Sequence, residues 1–201
     1  IVSSGYSEIL SEKDELIVSE LEHHSNIVPW QILCEKTGSK LKVIPMNDNG
    51  ELQLDKLDEM LNENTKLVFV NHVSNALGTI NPISEIITKA HKYGAKILID
   101  GAQASAHFKI DLQNLDVDYY VTSAHKLCGP TGVGMLYGKK ELLEKDLEAD
   151  DSGGSIVFTF SFILVDFSFF LDLLNRLVLL KIVLYHNQYL LAMDNMKRQQ
   201  T

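Results

Sequence analysis

A lysine that closes a short polar run, Ser123-Ala124-His125-Lys126, and a carboxylate that closes an apolar one, Lys96-Ile97-Leu98-Ile99-Asp100, carry the sharpest chemical potential in this sequence. The Lys126 amine can condense with an aldehyde, provided that burial or neighbouring cations keep part of it unprotonated. Asp100 can hold a pyridine nitrogen in its protonated form, which turns the ring into an electron sink. Ser123 and His125 flank the lysine, and the glycine-containing turn after it (Gly129, Gly132) lets backbone approach a ligand closely. Two more polar clusters, Glu22-His23-His24-Ser25-Asn26 and Asn71-His72-Val73-Ser74-Asn75, follow apolar runs in the same way. Four such clusters suit a cofactor that forms an imine with an amine.

The elements that must position these residues are legible as an alternation. Strand-like runs occur at Glu15–Ser19, Leu41–Pro45, Lys66–His72, Lys96–Asp100, Val117–Ser123 and Gly134–Tyr137. Between them, Ser25–Thr37 repeats Ile27, Trp30, Leu33 and Cys34 at helical spacing, with Gly38 as its stop, and Leu54–Leu61 reads as a short helix. A third helix is marked by Asn81 as its cap, Pro82 in its first turn and Gly94 after its last. Strand and helix in alternation predict an α/β layer architecture with a mainly parallel sheet. Such sheets present ligand-binding residues at the carboxyl ends of their strands, where the polar clusters lie.

Composition removes several classes. The 201 residues are 45% hydrophobic and 22% charged, which suits a globular domain, and no internal repeat is evident. A net charge of -9 without a dense Lys/Arg run argues against nucleic acid as a partner. Two cysteines, Cys34 and Cys128, cannot build a disulfide framework or a four-cysteine zinc site. The adjacent His23 and His24 point different ways on any regular element, which argues against a metal. No Gly-x-Gly-x-x-Gly turn follows the first strand, so a nicotinamide-binding domain ranks low. No secretory signal opens the chain. Taken singly, His72 and His91 read as structural or surface histidines, Trp30 and Ile27 as core, and Cys34 as a residue of an apolar helix face.

Taken together, Glu22-His23-His24-Ser25-Asn26-Ile27-Val28-Pro29-Trp30-Gln31, His72-Val73-Ser74-Asn75, Asp100-Gly101-Ala102-Gln103 and Ser123-Ala124-His125-Lys126 resemble the cysteine desulfurases of the SufS/CsdA type. These are class V aminotransferase-family, fold-type I pyridoxal-phosphate enzymes. The resemblance spans roughly Gly5 to Lys145. It implies a three-layer α/β/α large domain, with Lys126 as the Schiff-base lysine and Asp100 as partner of the pyridine nitrogen. His23 would stack on the ring and handle protons, and Asn75 and Gln103 would bond near the phenolic oxygen. Ser123 and His125 would hold the phosphate of pyridoxal 5'-phosphate. The implied substrate is L-cysteine, or selenocysteine, with alanine released and the sulfur kept as an enzyme persulfide for a sulfur-acceptor protein and iron–sulfur cluster assembly. A homodimer is implied for an intact relative, in cytoplasm or an organelle matrix. A selenocysteine lyase, another class V enzyme and a non-catalytic remnant or interaction module are the alternatives.

The resemblance divides the chain into a pyridoxal-phosphate-binding large domain at 1–146, incomplete on its N-terminal side, a polar linker at 147–155 and an apolar tail at 156–201. In the family the upstream phosphate-gripping turn, the small domain and the sulfur-accepting cysteine lie outside the stretch that matches here. Inactivity of the fragment alone is therefore expected. Cys128, two residues past Lys126, is not the expected nucleophile, because a reactive thiol needs activating surroundings of its own. The tail is apolar enough to raise a membrane span, but Asp166, Asp172, Arg176 and Lys181 argue against it.

Overall fold

Apolar runs covered on both sides become strands, and amphipathic ones become the cover. The protein is described by a computed structural model over residues 2–147 and 161–162. In chain order the elements are α1 (Val2–Tyr6), β1 (Glu15–Ser19), α2 (Val28–Thr37), β2 (Lys40–Ile44), α3 (Leu54–Met60), β3 (Thr65–Asn71), α4 (Ile83–Lys92), β4 (Lys96–Asp100), α5 (Leu112–Leu115), β5 (Tyr119–Ser123), β6 (Gly134–Gly138), α6 (Lys140–Leu147) and β7 (Ser161–Phe162). Short 3-10 turns lie at His24–Asn26, Ala104–Ala106 and Ala124–Leu127. The chain divides into two units, Ile1–Ile163 and Leu164–Thr201, and every described residue falls in the first. The linker and tail expected at 147–155 and 156–201 lie outside the described residues, apart from Leu147 and the two residues of β7.

The strands form one sheet in the order β2-β1-β3-β4-β5-β6-β7. The pairs from β2 to β5 are parallel, β6 runs antiparallel to β5, and β7 pairs parallel with β6. After β1 the chain steps outward to β2 and then returns to the other side of β1 as β3. The sheet therefore has its topological switch point between β1 and β3, where open α/β sheets form a ligand crevice.

Successive side chains of a strand face opposite layers. Ile17, Val68, Val70, Ile97, Ile99 and Tyr120 point to one layer and pack with Leu57 of α3 and Ile83, Ile86, Ile87 and Ala90 of α4. Those four α4 residues sit at i, i+3, i+4 and i+7, one stripe of a helix. Leu16, Val18, Leu67, Phe69, Leu98 and Tyr119 alternate with them and are equally buried. On that side Trp30 of α2 stacks on Phe69 with ring centroids 3.7 Å apart. Tyr6 of α1 meets the Tyr119 hydroxyl at 3.4 Å. Each fully buried Leu, Ile or Phe contributes about 1.5–3 kcal/mol relative to exposure, so two covered faces make the sheet the stable frame. The architecture is the expected three-layer α/β/α sandwich with a mainly parallel sheet.

Local details differ from the sequence reading in two places. The helix expected over Ser25–Thr37 begins at Val28, because Pro29 suits the first turn and leaves His24–Asn26 as a separate 3-10 turn. Asn81 does not cap α4, which starts after Pro82 without a side-chain cap. The Asn81 amide instead turns inward and donates to the backbone and side-chain oxygens of Asn71 at 2.8 and 2.6 Å. Gly38 does close α2, in a left-handed conformation (φ 76°) that only glycine adopts cheaply.

Candidate active site

All four polar clusters emerge from the same edge of the sheet, at the carboxyl ends of the adjacent strands β1, β3, β4 and β5. Asn71 at the end of β3 is in register with Asp100 at the end of β4, and Asp100 with Val121 of β5. The parallel pairing therefore brings together segments that are far apart in sequence.

Asp100 stays half-buried. Its Oδ1 accepts the Ala102 N–H at 2.9 Å, and among the described residues no donor engages Oδ2. The next residue is fixed by space: a Cβ on Gly101 would lie 2.0–2.2 Å from the Tyr120 ring, far inside contact distance. Tyr120 in turn bonds His72 Nδ1 through its hydroxyl at 3.0 Å, and burial pushes that hydroxyl up to about 12. Desolvation also lowers His72, so its imidazole stands neutral near neutral pH. Gln103 starts the 3-10 turn at Ala104–Ala106, which packs against the turn that carries the lysine.

Lys126 lies in the 3-10 turn between β5 and β6. Pairing of Ser123 with Gly134, and the Ala124 N–H to Val133 carbonyl bond of 2.9 Å, close this connection at its base. The Lys126 amine is partly exposed and makes no hydrogen bond or ion pair with any described residue. Beside it, the Ser123 hydroxyl meets His125 Nδ1 at 2.7 Å. Cys128 ends the turn in a left-handed conformation (φ 61°), exposed. Asn75 sits exposed in the turn after β3, which is held by the Ser74 hydroxyl accepting the Ala76 and Leu77 N–H groups.

His23 is exposed at the end of the β1 segment, and its Nδ1 meets the Ser25 N–H at 3.2 Å and the Ser25 hydroxyl at 2.8 Å. The residue before it is buried. Glu22 accepts from the Ser19 hydroxyl, from Asn26 Nδ2 at 2.6 Å and from the Asn71 N–H at 2.7 Å. Asn26 Oδ1 accepts the Trp30 indole N–H at 3.1 Å, and Asn71 Nδ2 donates to the Leu21 carbonyl. Desolvation, with a smaller contribution from the negative charge of Asp100, raises the Glu22 carboxyl to about 7 against those three donors. This network straddles the β1/β3 switch point and locks the turn that carries His23.

In the sequence Glu22 and Asn26 stand only as motif letters, Asn71, Tyr120 and Gly101 carry no separate role, and His72 reads as a structural or surface histidine; the structure half-buries His72 against Tyr120. No local signal marks Glu22 as buried: Glu20, His23, His24 and Ser25 around it are exposed, and its burial is set by Asn71, 49 residues away. His91, read as structural or surface, bonds the buried Asp118 at 2.7 Å. Trp30 is core as expected. Cys34 is half-buried, with its thiol 3.4 Å from the Ser39 hydroxyl and raised by desolvation.

A doubly covered, mainly parallel sheet with an amine, a carboxylate and histidines gathered at its carboxyl edge defines an α/β fold whose polar groups converge on one edge. The chain belongs to the aminotransferase class-V family, whose description matches residues 1–168, past the Lys145 limit of the quoted motifs. It is 54% identical over 148 residues to a cysteine desulfurase of Cronobacter sakazakii, a stretch that is 74% of this chain and 36% of that protein. Among solved structures it resembles the cysteine desulfurase CsdA of Escherichia coli at 40% identity and a TM-score of 0.69, covering 72% of this chain and 36% of that one. The apo cysteine desulfurase of Thermococcus onnurineus gives 36% identity and a TM-score of 0.68 over the same shares. The chain thus spans about a third of the length of the relatives it matches.

Proposed function

We propose that this chain is the pyridoxal-phosphate-holding part of a cysteine desulfurase. The observation that carries the reading is the Lys126 amine, free of any described partner, at the same sheet edge as Asp100, whose Oδ2 is also unengaged. The donor set fits the cofactor. Lys126 supplies the amine for its aldehyde, Asp100 the anion for its ring nitrogen, and Ser123 with His125 the hydrogen bonds for its phosphate. His23, Asn75 and Gln103 reach the edge from neighbouring segments and would hold the ring and its oxygen. When bound, the cofactor supplies an electron sink for bond cleavage next to the amino group of an amino acid.

The residues of this chain then divide the remaining tasks. The buried Glu22 network holds the His23 turn against β3, Gly101 lets Tyr120 pack beneath the Asp100 turn, and the β5–β6 pairing fixes where Lys126 emerges. The substrate proposed is L-cysteine, or selenocysteine, converted to alanine with its sulfur passed to a cysteine thiolate and onward to an acceptor protein. A homodimer is the proposed assembly. The support is the identity to desulfurases over the cofactor-side motifs; because the match covers about a third of those proteins, the reaction is proposed for the whole protein.

The test is covalent trapping. The full chain is mixed with pyridoxal phosphate, its absorbance recorded, the mixture reduced with borohydride and the adduct mapped by peptide mass. An adduct on Lys126 that Lys126→Ala abolishes supports the reading. Folded protein with no adduct there sinks it.

A further inference from the structure

The Ser25 N–H points at His23 Nδ1 from 3.2 Å, and the Ser25 hydroxyl lies 2.8 Å from the same atom. A backbone N–H can only donate, so the ring nitrogen it faces has to accept. That assignment leaves the ring proton on the other nitrogen, Nε2. We infer that Ser25, through its backbone N–H, is a positioning residue that fixes the tautomer of the neutral His23 imidazole, with its proton on Nε2. The inference rests on the reading of His23 as a cofactor-facing residue, and it deepens that reading by fixing which atoms His23 offers.

The consequence follows from imidazole chemistry. His23 presents a ring face and an Nε2–H donor, so the atom of a bound molecule opposite that edge is an acceptor. A neutral imidazole already protonated at Nε2 takes its next proton at Nδ1. Proton uptake by His23 therefore costs the Ser25 N–H contact and presses the turn to open, whereas the Ser25 hydroxyl can rotate and accept the new Nδ1–H. The turn resists opening because its next residue is pinned. Asn26 is held by Glu22 at 2.6 Å and by the Trp30 indole at 3.1 Å, and Glu22 is held in turn by the Asn71 N–H of β3. The site thereby couples protonation of one exposed imidazole to a buried network.

Nuclear magnetic resonance of the full chain with nitrogen-15-labelled histidine tests this, the His23 signals being assigned by their loss in His23→Gln. In the neutral ring, Nδ1 is expected to carry no proton, and Ser25→Ala is expected to keep that assignment because it leaves the backbone N–H. Ser25→Pro removes the N–H and is expected to raise the Nδ1–H population several-fold. On acidification of the unsubstituted chain, the Ser25 amide resonance is expected to move together with protonation of His23. An Nδ1–H ring in the unsubstituted chain, a switch of tautomer in Ser25→Ala, or a Ser25 amide indifferent to His23 protonation would each overturn the inference. The measurement needs no cofactor, so it can fail while Lys126 still traps pyridoxal phosphate, and succeed while Lys126 does not.

Discussion

Asp118, at the amino edge of the sheet, is surrounded by basic groups, whereas Glu22, at the carboxyl edge, has none among the described residues. Asp118 is fully buried; its Oδ2 accepts from the Ile97 N–H at 2.9 Å and meets His91 Nε2 at 2.7 Å. Its Oδ1 makes no well-aligned hydrogen bond and is held instead by the charges of Lys139 at 3.3 Å and Lys96 at 3.7 Å. Glu22 is almost as buried but rests on three neutral donors, and the charge that acts on it, Asp100, is negative. The amino edge is built to hold one state. The carboxyl edge keeps polar groups that remain free to respond to a proton or a ligand.

Removing the charge at the amino edge should have the largest effect. Asp118→Ala is expected to cost about 3–5 kcal/mol, because it strips a buried acceptor from the Ile97 N–H and from His91 and empties a fully buried, charge-paired position. Urea unfolding measures it, and a loss below about 1 kcal/mol would erase the contrast between the edges.

The carboxyl edge should reveal itself through pH. Because Glu22 rises from 4.5 to about 7 on folding, the folded chain holds its proton more tightly than the unfolded one. Its contribution is therefore present below pH 4.5 and is lost as pH rises through 7, on the order of 3 kcal/mol in all. Urea midpoints across this window should show that slope, and Glu22→Gln should flatten it. A slope unchanged in Glu22→Gln would assign the response elsewhere.

Gly101→Ala should cost about 1–3 kcal/mol by driving a Cβ into the Tyr120 ring, and it should displace the Asp100 turn. Thermal melting and cofactor trapping report the two parts separately. Lys126→Ala should change stability least, within about 0.5 kcal/mol, because its amine holds nothing in place. A large loss on melting would mean that the lysine is part of the frame.

The same contrast explains what could be read from the sequence. The strands were legible because burial on both faces demands unbroken apolar runs such as Leu67-Val68-Phe69-Val70. The places of Lys126, Asp100, His23 and Asn75 were legible because each follows such a run, and parallel strands end at one edge. The supports were not. A buried Glu22 and a buried Asp118 have the same letters as surface acids, and their burial is set by partners 49 and 21 residues away. Asn81 read as a helix cap because its local context, before a proline and a helix, fits one; a distant strand end bonded its amide instead. Gly101 carries no sign of the tyrosine that excludes a side chain there.

The stacked Trp30 gives the molecule an optical property. The sequence has one tryptophan, and its ring lies against Phe69 while its N–H bonds the asparagine that Glu22 holds. Its tryptophan emission thus comes from a single, sheltered indole wired to the switch point of the sheet. Protonation of Glu22, or a strain passed back from the His23 turn, should alter the colour and yield of that light without any added label.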